Sequence, residues 1–349
     1  MSSNLSPDHV EAVFKCLLGR SPDGPIDPFL AMPTLDDLIQ AVASMPEAVI
    51  RQRSGTLWNY DARFDALDVM RRHADPAPEP VAGRIVNYLG VSINPAVYPP
   101  LLAGREGTIE PLPLPANWHA DIAEFAAALR AVDLATGRFR MLEMGCGWGC
   151  WILNTGVAAR RKGLDVRLSG LEGDTGYVEL ANAGCLENGF AASQIDIRNA
   201  VAGPRSGVAL FPRQEIGERA YGLQPIFHPT PAQVEEARSP DSRFRALDVL
   251  TISSLAGDGV LDLVHIDIQG GEADLVESCI EDFESKVAYT VIGTHSREIE
   301  GRLISTFLPR GWKLEVERPA IFSYEADGGR TLRIDGVQGW RNPRLRPDT

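Results

Sequence analysis

The sequence predicts an α/β protein built on a doubly wound, mostly parallel sheet with a small N-terminal helical domain. Three observations point there. An apolar strand, Phe139–Met144, runs straight into a glycine-rich turn. Strand and helix patterns alternate from about residue 116 onward, the mark of a parallel α/β sheet. Ahead of them, residues 1–75 carry helical rather than strand periodicity.

In the first zone, Asp8–Leu18 reads as a helix ended by Gly19. Thr34-Leu35-Asp36-Asp37 has the form of a capping box, with a hydroxyl at the N-cap and an acid three residues on. Leu35, Leu38, Ile39 and Val42 follow at helical spacing and Pro46 marks a stop. Residues 76–115 hold prolines at 76, 78, 80, 95, 99, 100, 111, 113 and 115, a density that argues for an extended connector. Ile85, Val86, Tyr88, Leu89 and Val91 within it are expected to bury against the main domain.

Residues 116–349 form that domain. Asn117 is expected to cap a helix over Ile122, Phe125, Ala126 and Leu129. Strands follow at Phe139–Met144, Val166–Leu171, Ile195–Val201, Leu261–Ile268 and Val287–Gly293, with helices near Trp148, over Thr175–Asn188, over Glu272–Phe283 and over Glu298–Leu308. Residues 203–244 read as a long insertion, and Trp312–Glu317 with Thr331–Asp335 as a closing antiparallel pair.

Composition narrows the function. The chain has 349 residues, 44% hydrophobic and 23% charged, an ordinary globular balance. No apolar run approaches the roughly 20 residues of a membrane span. Met1–Asp8 has neither the basic nor the apolar region of a secretory signal. The five scattered cysteines suit reduced thiols, so a cytoplasmic protein is expected. A net charge of −13 without a basic patch disfavours nucleic acid. Cys146 and Cys150 lack the second ligand pair of a zinc site.

Four strand ends carry the chemistry, since ligands of open parallel sheets lie outside the carboxyl ends of the strands. The first is Glu143-x-Gly145-x-Gly147-x-Gly149, whose glycines let backbone N–H groups approach a ligand. A dinucleotide fingerprint would need its third glycine at Cys150. The second is Glu172, 23 residues after Gly149, placed to accept hydrogen bonds from a ribose diol, or to cap the next helix as Asp174 also can. The third is His265-Ile266-Asp267-Ile268-Gln269, where strand periodicity sets His265, Asp267 and Gln269 on one face; Glu272 then suits a helix N-terminus. The fourth is His295, which faces the same crevice as Asp267 or packs as a structural imidazole against Glu272.

The glycine turn resembles motif I of the class I S-adenosylmethionine (AdoMet) methyltransferases. With Leu261–Glu272 and Ile292-Gly293-Thr294-His295-Ser296, residues 117–342 resemble the FkbM family of AdoMet-dependent O-methyltransferases. Asp267, Gly270 and Glu272 match that family's D-L-x-K-I-D-V-E-G-x-E signature, while His265 and Gln269 replace its lysine and glutamate. Leu17–Pro22 and Ser44–Glu47 resemble a DUF4214-like helical module found beside carbohydrate-active enzymes.

The resemblance implies a class I methyltransferase fold and methyl transfer to a hydroxyl of a sugar, polysaccharide or related natural product. AdoMet would sit on Glu143, Gly145, Cys146, Gly147, Trp148, Gly149, Glu172 and Gly173. His295 and Asp267 are the candidate bases, with His295 titrating nearer neutrality. Gln269, Glu272, Tyr221 and His228 are candidate acceptor contacts, as are Arg213, Arg219, Trp118 and His119. Asp267, Glu272 and His295 are an alternative set of ligands for a divalent metal, which is not expected. Competing readings are an NAD-dependent oxidoreductase and a catalytically silent AdoMet-binding module, recruited to glycan-assembly proteins through the N-terminal helices.

Overall fold

A computed structural model describes residues 5–18, 20–48, 60–213, 222–325 and 328–347. Met1–Asp61 and Ala62–Thr349 are two compact units. In the first, α1 (Pro7–Leu18) and α2 (Leu35–Ala43) bury Val10, Phe14, Leu38 and Val42, with Phe29 set edge-on to Phe14 at 5.0 Å. Thr34 caps α2 with both arms of the capping box formed. Gly19, the expected end of α1, lies outside the described residues.

The second unit includes α3 (Ala66–His73) and the proline-rich segment, whose Ile85, Val86, Tyr88, Leu89 and Val91 are all buried. That segment has a short antiparallel pair of its own, Ile85–Val86 with Ser92–Ile93. Next comes α4 (Ile122–Leu134), capped by Asp121 and not Asn117. Asn117 Oδ1 instead accepts the N–H groups of His119 and Ala120, closing the turn ahead of the helix.

Then follow β1 (Arg138–Met144), α5 (Cys150–Arg161), β2 (Asp165–Glu172), α6 (Thr175–Glu187), β3 (Ile195–Ala202), β4 (Gly207–Pro212), β5 (Ile226–Phe227) and β6 (Phe244–Leu250). The chain ends with β7 (Leu263–Ile266), α7 (Glu272–Ser278), α8 (Ile280–Lys286), β8 (Tyr289–Thr294), α9 (Arg297–Phe307), β9 (Lys313–Arg318), β10 (Ile321–Tyr324), β11 (Arg330–Ile334) and β12 (Gly336–Arg341). The sheet runs β9-β12-β8-β7-β1-β2-β3-β6-β4-β5. From β8 to β6 the pairs are parallel; β12, β9, β4 and β5 join antiparallel. The chain winds outward from β1 through β2 to β3, then returns to β7 on the other side, so the switch point lies between β1 and β7.

Three expectations about elements are corrected. The 203–244 segment is no plain insertion, because β4 and β5 lie within it and, together with β6 directly after it, extend the sheet beyond β3. The strand pairing with β9 is β12, not Thr331–Asp335, which forms a separate hairpin of β10 and β11. Every residue of β12 is buried, whereas β11 is mostly exposed, so burial selects the partner. The predicted helix Glu272–Phe283 breaks at Cys279 into α7 and α8. No described helix is long and apolar enough to cross a membrane.

Candidate active site

A broad cleft opens at the carboxyl ends of β2, β1 and β7. Its floor is the glycine turn, where Gly145, Gly147 and Gly149 have φ of +74°, +48° and +83°. The three serve different ends. A Cβ on Gly145 would stand 2.0 Å from the carbonyl oxygen of Asp267, and one on Gly149 would stand 3.2 Å from Ala181. Those two glycines permit close packing. A Cβ on Gly147 would meet nothing within 4 Å, and that open space belongs to the cleft.

Glu172, at the end of β2, accepts the Gly147 N–H on Oε2 and the Asp174 N–H on Oε1, each at 2.8 Å. Desolvation raises its pKa, and those N–H groups oppose the rise. Asp174 caps α6 through the Tyr177 N–H, which leaves Glu172 free of that duty. Cys146, Trp148 and Gly173 also line the cleft. Over Gly173, a Cβ would strike the Phe211 ring at 2.4 Å, so that glycine makes room for β4.

Glu143 lines the same cleft but spends its oxygens on the helix that follows. It is 3% exposed, and its oxygens lie 3.4 Å from the Trp151 N–H and 3.0 Å from the Ile152 N–H, in the first turn of α5. It ties the helix N-terminus to β1. Beside it, His265 is 1% exposed, stacks on Trp151 and meets Glu124 Oε1 with Nε2 at 3.1 Å. Burial pushes His265 down to about 4 and Glu124 up to about 8, so the contact is a hydrogen bond between neutral groups. Burial likewise pushes His119 down to about 3 and raises the Cys150 thiol; their 3.3 Å contact is no thiolate–imidazolium dyad.

At the end of β7, Asp267 lines the cleft with a side chain 41% exposed. Packing of the cleft walls around the carboxyl still raises its pKa, against the pull of the His295 imidazolium. Gln269, at φ +63°, donates from Nε2 to Asp267 Oδ1 at 2.8 Å. The strand has ended at Ile266, so this contact comes from the turn and not from the strand periodicity the sequence suggested. Gln224 donates to the Gln269 carbonyl and latches the 222–225 segment onto this turn.

His295 stands behind Asp267 and does not line the cleft. Its Nε2 lies 3.4 Å from Asp267 Oδ1 and its Nδ1 lies 3.0 Å from Glu272 Oε1. Desolvation lowers its pKa, but the Glu272 hydrogen bond and both carboxylates outweigh it and raise it to about 9. Glu272 is fully buried, and its Oε1 also accepts the N–H groups of Ile268 and Gly270. Buried this way, Glu272 cannot touch an acceptor, contrary to the expectation from sequence. One ligand atom each from Asp267, Glu272 and His295 lie within 4.8 Å of one another, close enough to surround a cation.

The outer walls are only partly those expected. His228 (φ +57°) lines the cleft, as do Trp118 and His119. Arg213 is spent on the carbonyls of Phe244 and Ala237, and Arg219 and Tyr221 lie outside the described residues. Sequence reasoning missed Tyr98, whose ring is nearly parallel to Trp118 at 6.4 Å, while Trp118 stacks on Trp148 at 5.8 Å. It also missed Arg318, Arg333 and Asp335, delivered by β9 and the β10–β11 hairpin. No spacing rule links those positions to the glycine turn.

No family model matches the chain. It is 43% identical over 263 residues to a Jannaschia sp. (strain CCS1) protein named "Putative methyltransferase", a match covering 75% of this chain and 94% of that one. Among solved structures, methyltransferase FkbM from Methylobacillus flagellatus KT is 13% identical with a TM-score of 0.35, covering 58% of this chain and 44% of that one. Precorrin-6y C5,15-methyltransferase from Geobacter metallireducens GS-15 is 10% identical with a TM-score of 0.33, covering 62% and 86%. At those scores neither structural likeness bears on activity.

Proposed function

This chain belongs to the family of its Jannaschia relative, and from that premise we propose that it is an AdoMet-dependent O-methyltransferase acting on a hydroxyl of a sugar, polysaccharide or related natural product. The observation that carries the reading is the contact of Gly145 with Asp267. It packs the glycine turn against the main chain of Asp267, whose carboxylate faces the same cleft as the open space over Gly147, and this supports reading donor and acceptor sites on one floor.

The residues present fit the donor. Gly147 leaves free the volume a Cβ would fill, and Glu172 is held by two backbone N–H groups with lone pairs left for a ribose diol. AdoMet, when bound there, supplies an electrophilic methyl group. What remains for the protein is positioning and proton removal. Orientation alone is worth roughly 7–11 kcal/mol of a barrier.

Asp267 takes the acceptor's proton, because it faces the cleft and His295 does not. Gln269 aims its carboxylate, and the His295 imidazolium, fixed by Glu272, keeps it ionised. This reverses the roles suggested by histidine's ordinary titration range. A proton on His295 offsets one of the two carboxylate charges beside it, and Glu272 Oε1 is engaged by two N–H groups while its buried Oε2 has no partner; we read the site as metal-free, and chelation tests that reading.

The test has two stages. S-adenosylhomocysteine should raise the melting temperature and NAD should not; the converse would favour an oxidoreductase. Labelled AdoMet should then transfer label to a glycan extract, and glycans from cells lacking the gene should lose 14 Da. Donor binding without transfer to any acceptor would favour a silent binding module.

A further inference from the structure

We propose that Glu124, and not the acid of the glycine motif, receives the ammonium group at the amino-acid end of the methyl donor. The inference rests on the donor reading above.

Strand order fixes where that end must lie. Glu172 closes β2, the glycine turn closes β1 and Asp267 closes β7, on adjacent strands. Neighbouring strands are about 4.8 Å apart, so a nucleoside anchored at Glu172 extends across the glycine turn toward β7. The floor there is made by Glu143, Trp151, His265 and Glu124, all of which line the cleft.

Of the two acids, Glu143 has turned its oxygens to the first turn of α5 and retains almost no exposed surface. Glu124, in the first turn of α4, meets His265 with Oε1 and keeps 14% of its side chain exposed. The Arg318 guanidinium acts on Glu124 through space without forming an ion pair with it. Arg318 is committed to Asp121 at 2.7 Å and to the Asp335 carbonyl at 2.6 Å.

The same floor carries a second polar atom open to a ligand, on the side of the His265 ring that faces Glu143 and not Glu124. His265 is 99% buried, yet its Nδ1 has no hydrogen-bond partner, the closest acid oxygen being Glu143 Oε1 at 3.9 Å. A buried ring nitrogen without a partner is costly unless a polar group arrives in the bound state. An incoming ammonium donates to Glu124, which gives up its proton to solvent and becomes the counter-ion. This agrees with the raised pKa that burial gives Glu124 in the free protein.

Calorimetry with two ligands separates this role from a structural one. S-adenosylhomocysteine carries the amino-acid end, and 5′-methylthioadenosine shares its adenosine and thioether without it. Glu124→Gln keeps the shape and a hydrogen bond to His265. It should weaken S-adenosylhomocysteine at least tenfold and leave 5′-methylthioadenosine within twofold. Glu124→Asp, which keeps the charge on a shorter arm, should give a smaller loss with the same selectivity and covers the case in which the glutamine variant does not fold. In Glu143→Gln the ratio of the two affinities should stay that of the wild type. Equal losses for both ligands, no loss for either, or a changed ratio in Glu143→Gln alone would overturn the assignment. Wild-type protein that binds neither ligand would count against the donor reading itself.

Discussion

His295 Nδ1 lies 3.0 Å from Oε1 of Glu272, a carboxylate without exposed surface, and this contact decides which end of the ring faces Asp267. Because Nδ1 is spent inward, Nε2 is left toward Asp267, 3.4 Å away, and in the proposed reaction the imidazole would act on a substrate through that aspartate. Under the proposed function, a histidine read from sequence as a base is instead the cation that supports one.

Replacing Asp267 by Asn should lower kcat by about 10²–10⁴, the usual contribution of a general base. S-adenosylhomocysteine affinity, measured by calorimetry, should change little. The acid limb of the wild-type kcat/KM profile should lie above the ordinary aspartate value, the direction in which Asp267 is shifted. His295→Gln removes a charge that lowers that pKa, so the limb should move further up; an unmoved limb would detach His295 from the base.

The raised pKa of His295 also has a stability signature. A group whose folded pKa lies above its unfolded value of about 6.5 stabilises fully below that value, and the gain is lost as pH rises through the folded pKa. With the folded value at about 9, the window is roughly pH 6.5 to 9. The loss should be on the order of 2–3 kcal/mol, since each tenfold gain in proton affinity on folding is worth about 1.36 kcal/mol and residual solvent contact trims the sum. Denaturant melts at pH 6.5 and 9.5 should show this fall in the wild type and much less of it in His295→Gln.

The glycines of the turn should separate fold from ligand. Gly145→Ala combines a left-handed backbone with a 2.0 Å clash against main chain, and should cost about 2–4 kcal/mol in denaturant melts. Gly147→Val meets open space, so its cost in stability should be about 1–2 kcal/mol for the left-handed backbone. Its S-adenosylhomocysteine affinity should nonetheless fall more than tenfold. Equal effects from the two substitutions would remove Gly147 from the cradle.

Glu172→Ala should weaken S-adenosylhomocysteine by roughly ten- to a hundredfold, since each charge-assisted hydrogen bond is worth about 1.5–3 kcal/mol. The fold should survive, because Asp174 caps α6 without help. Unchanged affinity in titration calorimetry would take Glu172 out of the donor site.

Chelation offers a separate check on the Asp267–Glu272–His295 group. In a metal-free arrangement, turnover should be unchanged after dialysis against EDTA and should not respond to added Mg²⁺. Activity lost to EDTA and restored by the ion would assign the group to a metal instead.

The sequence by itself determined what local chemistry determines. The capping box at Thr34, the strand ending in glycines and the acid at the end of β2 are short-range patterns, each needing only a few adjacent residues to take effect. The core strands were legible because fully buried strands read as apolar runs. Tertiary structure alone decided the rest. Strand β12, Gly336–Arg341, carries glycines, a glutamine and an arginine, and only its place between β8 and β9 makes it central. The proton affinity of His295 was likewise set by space, because burial and two neighbouring carboxylates, brought together from separate turns, act on it at once. Tyr98 and Glu124 reached the cleft from segments upstream of the glycine turn, and no sequence spacing encodes that approach. Periodicity reports what neighbours along the chain require; desolvation and charge pairing depend on neighbours in space.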